Sequence, residues 1–188
     1  MLIGLDNYPG SINDKNTVEL AIFYHDIVYN PLRQDNEHQS GVVARTLLLK
    51  KGVATLTRSQ DHSFDEVQKL LPDHQARLED RSVSELKSQK IYDYILATKS
   101  HQTGNEDDED LHLLLDLDLA ILGTDSENYR EYTRQIRKEY WMFPGPVYRA
   151  GRRKAMAHFL EQPRIFKTDH YFERLEEQAR QNITSELA

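Results

Sequence analysis

The 188-residue chain contains no cysteine, which excludes disulfides, thiolate nucleophiles and cysteine-ligated metals. It also lacks any apolar run near the roughly 20 residues that a membrane-spanning helix needs, and its mean hydropathy is -0.72. Met1 is not followed by the basic segment and apolar core of a signal peptide. These absences predict a cytoplasmic protein.

Positive charge is in deficit, because 24 Lys and Arg face 31 Asp and Glu and give a net charge of -7. Such a balance works against non-specific attraction to nucleic acid or anionic membranes. We therefore expect neither a nucleic acid polymer nor a membrane as partner, and any phosphate must be met by a local cluster of cations. The length fits one domain covering residues 1–188, whose tyrosine-rich C-terminal helices offer a face for a homodimer.

Alternation of apolar and polar residues at period two is also missing, whereas apolar residues recur at three and four along most of the chain. This periodicity predicts an all-α helical bundle of six to eight helices. Less regular sequence lies at 53–80, where we predict one short helix over Phe64–Leu71. Helix starts are predicted at Asn16, Asp35, Ser82 or Ser84, Ser126, Gly145 and Asp169, and helix ends at Tyr29, Gly52, Gly123, Pro144 and Pro163.

The stretch "VELAIFYHDIVYN" places a histidine and an aspartate inside an otherwise apolar helix. Apolar residues surround this helix on nearly all sides, so His25 and Asp26 are predicted to be buried. An ionised carboxylate that leaves water without a partner costs several kcal/mol, on the order of the stability of a domain. Something in the fold must therefore compensate Asp26.

A second acidic pair occurs in "LHLLLDLDLAILG". Helical spacing places Asp118 in the apolar stripe, whereas Asp116 shares a less apolar face with His112. Two buried carboxylates near a buried histidine have a common solution, which is a divalent cation. A hydrogen-bonded core pair at His25 and Asp26 is the alternative, with Asp118 capping a neighbouring helix or pairing with Arg152.

Six strings occur in order from about Val18 to Leu187 and together resemble one family: "ELAIFYHDIVYNPLRQDNEHQS", "ILATKSH", "LLDLDLAILG", "IRKEY", "YRAGRRKAMAHFL" and "LEEQARQNITSEL". The chain is similar to the small predicted branch of the HD-domain metal-dependent phosphohydrolases. The resemblance implies a helical bundle whose metal is held by a histidine of an early helix, by His25 and Asp26, and by a later aspartate. That aspartate is best matched by Asp118, with Asp116 as the alternative.

The sequence departs from this family pattern at two places. It has no histidine before His25, and its opening "MLIGLDNYPGSINDKNT" resembles the end of the helix that carries the first ligand, so that helix is expected to be incomplete. Where the branch has two histidines this chain reads "KSH", with Ser100 at one position and His101 at the other. A shortened but normal enzyme, a degenerate site and another group in place of the histidine are the three interpretations.

The resemblance implies hydrolysis of a small phosphorylated compound, such as a nucleotide, by a metal-activated water. We predict a divalent ion (Mn, Mg, Zn, Fe or Co) bound by His25, Asp26, Asp118 and His101. Metal binding is expected to be weak without the first histidine. Lys99 is the first candidate for stabilising phosphate charge, ahead of Arg33, Arg137 and Arg152, and Glu37 is the candidate general base.

A catalytically degenerate HD-fold protein that serves as an interaction or structural module is the alternative function. Aromatic residues near the C-terminal end of the sequence recur close to helical spacing, which favours packing in a core or an interface over stacking on bases. They are Tyr129, Tyr132, Tyr140 and Trp141. The acidic run "NEDDED" is interpreted as a solvated loop and helix start rather than a metal site.

Overall fold

The computed structural model describes residues 1–49, 85–103 and 108–188. Within these ranges all regular structure is helical and no strand occurs, which confirms the predicted all-α fold class. The α-helices are α1 Leu2–Asp6, α2 Lys15–Tyr24, α3 Asn36–Leu48, α4 Glu85–Ala97, α5 Glu109–Leu119, α6 Ser126–Glu139, α7 Gly145–Glu161 and α8 Asp169–Leu187. A single 3₁₀ turn over Ala120–Gly123 follows α5 directly in the described chain.

The chain divides into two compact units. The central unit is Asp14–Gln102, and the terminal unit combines Met1–Asn13 with Thr103–Ala188. The organisation of the whole chain as one domain remains a prediction from the sequence. Among the helices of the described residues, none combines the length and the apolar character that crossing a bilayer requires.

The central unit is built from α2, α3 and α4, which pack on one another through fully buried aliphatic side chains such as Val18, Ala44 and Ile91. Asp14 caps α2 by accepting from the Thr17 amide at 3.1 Å. Gly41 lies against the ring of Tyr92, where a Cβ atom would approach the ring to 2.6 Å. Close contact between α3 and α4 therefore requires a residue without a side chain at this position.

The helix α2 ends at Tyr24, five residues before the predicted end. The amide of Val28 donates to Ser40 Oγ at 3.1 Å, and this hydroxyl donates back to the Val28 carbonyl at 3.3 Å. The chain leaves α2 because these backbone groups find partners on α3 instead of in a longer helix. Apolar periodicity continues across this point in the sequence, which is why it predicted too long a helix.

The terminal unit has a leucine-rich centre on α5, and α8 packs on the 3₁₀ turn that follows α5. At Gly123 a Cβ atom would lie 2.5 Å from the Leu175 Cβ and 2.8 Å from the Leu175 carbonyl oxygen. Asn182 donates from its side-chain amide to the carbonyls of Leu122 and Thr124, at 2.9 and 2.8 Å. The end of the 3₁₀ turn is thus fixed by one buried amide of α8.

Several predicted helix boundaries agree with the structure. The helices α6, α7 and α8 begin at Ser126, Gly145 and Asp169 as expected, and Asp125 and Thr168 cap α6 and α8. The end of α6 at Glu139 is earlier than Pro144, because residues 140–144 form a turn. The predictions for Phe64–Leu71, Gly52, Ser82 and Ser84 lie outside the described residues.

Candidate functional site

Three helix ends meet at one end of the central unit: the C-terminus of α2, the N-terminus of α3 and the C-terminus of α4. The bond between Val28 and Ser40 joins the first two, and Lys99 Nζ donates to the Gln34 carbonyl at 2.5 Å, which brings in the third. We call this region, residues 25–37 and 98–101, the polar end. It carries five of the predicted site residues: His25, Asp26, Glu37, Lys99 and His101.

The electrostatics of the polar end follow from these helix termini. The aligned backbone dipoles give the C-termini of α2 and α4 each a partial negative charge and the N-terminus of α3 a partial positive charge. Two negative ends favour a bound cation, and the single positive end favours an anion such as a phosphate group.

Two buried polar side chains of α3 hold the loop that follows α2. Asn36 donates to the Asn30 carbonyl at 2.9 Å and accepts from the Asn30 amide at 3.1 Å. Ser40, which is fully buried, binds both backbone groups of Val28. Sequence reasoning did not identify either residue. The available signal was two small polar residues four apart, on the face of α3 that also carries buried Val43 and Ala44.

The geometry of His25 is fixed by its own helix. Its Nδ1 lies 2.8 Å from the Ile22 carbonyl oxygen, which can only accept, so Nδ1 carries a proton. Its Nε2 then lies 3.3 Å from Asp26 Oδ2. With one ring proton already used, Nε2 and the carboxylate oxygen face each other as two electron-pair donors. A cation between them, either a second ring proton or a metal ion, is the chemistry that this pair favours.

The predicted burial of Asp26 is wrong. The Asp26 side chain is 64% exposed, whereas the His25 side chain is 14% exposed. The error has the same cause as the helix boundary, because the helical projection was continued past Tyr24 into a turn. Desolvation therefore does not require a partner for Asp26, and the candidate site depends instead on the arrangement of the two side chains.

Asp35 is the N-terminal cap residue of α3 in position but not in bonding. Its carboxylate accepts two hydrogen bonds from Arg33, both at 2.8 Å, and one from Gln39 at 3.0 Å, and it makes no side-chain cap bond. The paired Arg33 guanidinium and the Gln39 amide hold the pKa of Asp35 well below its usual range. Arg33 is thereby engaged with a carboxylate of its own loop.

The other predicted site residues of the polar end are His101, Glu37 and Lys99. His101 has a φ of 54°, a left-handed conformation that histidine adopts more readily than most residues, and its amide bonds to the Ala97 carbonyl at 3.0 Å. Glu37 is half-buried in the first turn of α3. Lys99 has its ammonium group at the Gln34 carbonyl. These three residues thus lie at the ends of α3 and α4, which pack on α2.

The two aspartates of α5 belong to the terminal unit, and their predicted burial is reversed. Asp116 has no exposed surface, while Asp118 is only partly buried. Asp116 accepts from the amides of Lys167 and Thr168, at 2.6 and 2.8 Å, and from the Thr168 hydroxyl at 2.6 Å. Burial raises the pKa of Asp116, and these three donors oppose that rise.

The predicted burial of the two aspartates is reversed because α5 is buried on nearly every side. Its apolar residues therefore define no single inner face. The approach of residues 165–168 determines which aspartate is enclosed, and periodicity on α5 carries no information about that segment. Asp116 is therefore a structural residue. The convergence of Asp118 with His25 remains a prediction.

Arg152 pairs with residues other than Asp118, which was its predicted alternative partner. Arg152 donates to Glu186 at 2.8 and 3.2 Å and to the Tyr132 hydroxyl at 3.3 Å. Arg137 donates to the Tyr140 carbonyl at 2.6 Å and to the Phe143 carbonyl at 3.2 Å. Arg152 thus joins α7 to α6 and α8, and Arg137 holds the turn that follows α6.

A three-ligand cluster is not assembled by the described residues alone, since no group of three His, Asp or Glu side chains there is arranged to hold a metal ion. The donors that the described chain places together are His25 and Asp26. No family model, curated protein or solved structure matches this chain.

Proposed function

We propose that this chain is a metal-dependent phosphohydrolase that acts on a small phosphorylated compound such as a nucleotide. The observation that carries the proposal is the pairing of His25 Nε2 with Asp26 Oδ2 at 3.3 Å beside a ring nitrogen whose proton is fixed by the Ile22 carbonyl. The sequence resemblance to HD-domain phosphohydrolases points to the same two residues. The fold class agrees with such a bundle.

The donor set fits a divalent ion in kind. An imidazole nitrogen and a carboxylate oxygen both bind zinc, manganese or iron at about 2.0 to 2.2 Å, and two such ligands on one ion lie about 3 Å apart. The pair matches this spacing without rearrangement. The hydrogen bond from Nδ1 to a backbone carbonyl is the usual means of orienting a ligating histidine.

In the proposed reaction His25 and Asp26 would hold a divalent ion, which would supply a water of lowered pKa and polarise a phosphoryl oxygen. Lys99, whose stem places its ammonium group at the Gln34 carbonyl, stabilises negative charge on the phosphate. Glu37, in the first turn of α3, orients the attacking water or accepts its proton. Asn36 and Ser40 position the loop on which this arrangement depends.

The test combines metal analysis by plasma mass spectrometry with phosphate release from a panel of phosphate monoesters and nucleotides, with Mn²⁺, Mg²⁺, Zn²⁺, Fe²⁺ or Co²⁺ added in turn. Asp26→Asn and His25→Gln should each remove metal binding and hydrolysis together. Asp35→Asn is the matched control, because this carboxylate lies in the same region but is engaged by Arg33 and Gln39. It should retain both. Hydrolysis that persists in Asp26→Asn contradicts the proposal.

A second function is supported by a different observation. The described residues contain no three-ligand cluster, and His25 and Asp26 can be satisfied by a second ring proton as an ion pair. The protein is then a non-catalytic helical interaction or structural module. This alternative predicts that the wild-type protein is metal-free and inert with every divalent ion, and that Asp26→Asn changes nothing in either assay.

A further inference from the structure

The helices α6 and α7 form an antiparallel hairpin. Tyr129 contacts Met156 through a hydroxyl and a sulfur atom 3.8 Å apart, Arg152 donates to Tyr132, and the rings of Tyr140 and Tyr148 lie 6.1 Å apart. The sequence separation between the contacting residues thus decreases toward the connecting turn, as in an antiparallel hairpin. Residues 140–147 form the end of this hairpin, which we call the hairpin tip.

The hairpin tip is held in shape by its own contacts. Arg137 donates to the carbonyls of Tyr140 and Phe143, and its guanidinium carbon lies 4.8 Å from the centre of the Tyr148 ring. Pro144 immediately precedes α7, and Pro146 occupies its first turn. The turn is therefore fixed before any partner binds, and the exposure of its side chains is a property of an ordered segment.

Large apolar side chains project into solvent from this tip. Trp141 is 74% exposed, Val147 57% and Met142 40%. The sequence predicted that Trp141 packs in a core or an interface, and the core interpretation is wrong. A tryptophan, a methionine and a valine at one turn form an exposed apolar group that nothing in the described terminal unit covers.

Cationic side chains line the two helices directly behind the tip. Lys138 on α6 and Arg149, Arg153 and Lys154 on α7 are exposed, whereas Arg152 is neutralised by Glu186. From Lys138 to Lys154 the sequence has five cationic residues and one carboxylate, Glu139, while the whole chain has a net charge of -7. The hairpin thus carries a net positive charge, which is opposite in sign to the net charge of the whole chain.

We propose that the hairpin tip docks the protein on an anionic phospholipid surface, with Trp141, Met142 and Val147 inserted among the head groups. At a rise of about 1.5 Å per residue, Arg149 to Lys154 lie within about 10 Å of Val147 along α7. That distance is the depth to which interfacial apolar residues enter a bilayer, so the cations lie at the level of lipid phosphates.

The chemistry of the tip favours lipid over other anionic partners. Exposed apolar side chains with cations behind them match the apolar and phosphate layers of a bilayer interface, where tryptophan is enriched. Methionine and valine offer no face for stacking on bases, which argues against nucleic acid. The net negative charge predicted no membrane partner, but screening confines electrostatics to about 8 Å at physiological salt, so a local cluster acts independently.

Trp141 is the only tryptophan of the chain, so its fluorescence reports on the tip alone. With vesicles of phosphatidylcholine and phosphatidylserine the full-length protein should co-sediment, and its emission should shift to shorter wavelength and become protected from iodide. Pure phosphatidylcholine vesicles should give much weaker binding. High salt should release the protein from the anionic vesicles. Absence of co-sedimentation and of the emission shift overturns the proposal.

Charge variants test the mechanism while keeping the reporter. Arg149→Gln with Arg153→Gln should weaken binding about 25-fold, since each basic residue near the surface contributes about fivefold. Arg130→Gln with Arg174→Gln is the control, because it removes the same charge from exposed sites outside the tip, and it should bind as the wild type does. Equal loss in both double variants overturns the proposal.

Other occupants of the tip give distinct results. An emission shift that depends on protein concentration without vesicles indicates a second copy of the chain. An equal shift with heparin or RNA indicates a general polyanion site. Either result overturns the assignment to lipid. Val147→Ser retains the tryptophan and should reduce vesicle binding while leaving the helical circular dichroism signal unchanged, which separates loss of docking from loss of folding.

Discussion

The two units place their acidic side chains in opposite settings. In the terminal unit Asp116 and Glu176 are buried and accept backbone amides of residues 165–168. In the central unit Asp26 is largely exposed, and its Oδ2 lies 3.3 Å from an imidazole nitrogen of the preceding residue. Burial in this protein therefore identifies carboxylates that organise the backbone. The candidate metal ligand Asp26 is distinguished instead by a carboxylate oxygen that faces the Nε2 atom of His25.

Glu176 shows the structural setting most fully. Its two oxygens accept from the amides of Ile165 and Phe166 at 3.0 to 3.1 Å, and Arg180 donates to it at 2.7 Å. Both carboxylate oxygens of Glu176 therefore accept from donors of the protein. A carboxylate in this state has little capacity left for a metal ion, and the same holds for Asp116.

The largest expected effect is a difference in stability between a variant at a buried carboxylate and a variant at the exposed one. Asp116→Ala leaves the Lys167 and Thr168 amides without their acceptor in a buried region and should lower the free energy of unfolding by about 3 kcal/mol or more. Asp26→Ala, at an exposed site, should change it by about 0.5 kcal/mol or less. Urea unfolding followed by circular dichroism measures both. Similar losses in the two variants would remove the distinction between the units.

An intermediate effect is expected from the residues that hold the polar end. Asn36→Ala and Ser40→Ala each remove the hydrogen bonds of part-buried backbone groups and should cost about 1 kcal/mol. Amide exchange at Val28 and Asn30 should accelerate in the corresponding variant. Thr46→Ala is the control on the same helix, because its hydroxyl bonds only within α3 at an exposed position. If exchange accelerates equally in the control, the loop is not held as described.

The smallest effect concerns Asp35, whose pKa is lowered mainly by hydrogen bonds from Arg33. A lowered pKa in the folded state contributes stability above the unfolded value of about 3.9, and this contribution is lost as the pH falls toward the folded value. Arg33→Ala should therefore raise the pKa of Asp35, as measured by carboxyl-carbon NMR titration.

The control for this titration is Arg45→Ala, whose guanidinium lies 3.9 Å from Glu85 and which is not among the partners of Asp35. Its Asp35 titration should match that of the wild type. An unchanged titration in Arg33→Ala would show that the loop pair does not form in solution. In that case Arg33 would become available for a role at the polar end.

Sequence alone predicted the fold class and the starts of the last three helices. It could not predict which of Asp116 and Asp118 is enclosed, because that depends on a segment fifty residues later packing on α5. It also extended α2 past Tyr24, since apolar periodicity does not register the competition of Ser40 for the backbone of Val28. Local patterns specify elements, and tertiary partners specify their ends.

The central claim is that His25 Nε2 and Asp26 Oδ2 bind a divalent cation. The NMR signals of the two imidazole nitrogens test this claim directly. Long-range proton–nitrogen NMR of the protein, recorded with and without Zn²⁺, assigns both nitrogens of His25. We predict that zinc shifts Nε2, that Nδ1 keeps the proton it donates to the Ile22 carbonyl, and that Asp26→Asn abolishes the response. A His25 spectrum that zinc leaves unchanged would contradict the account.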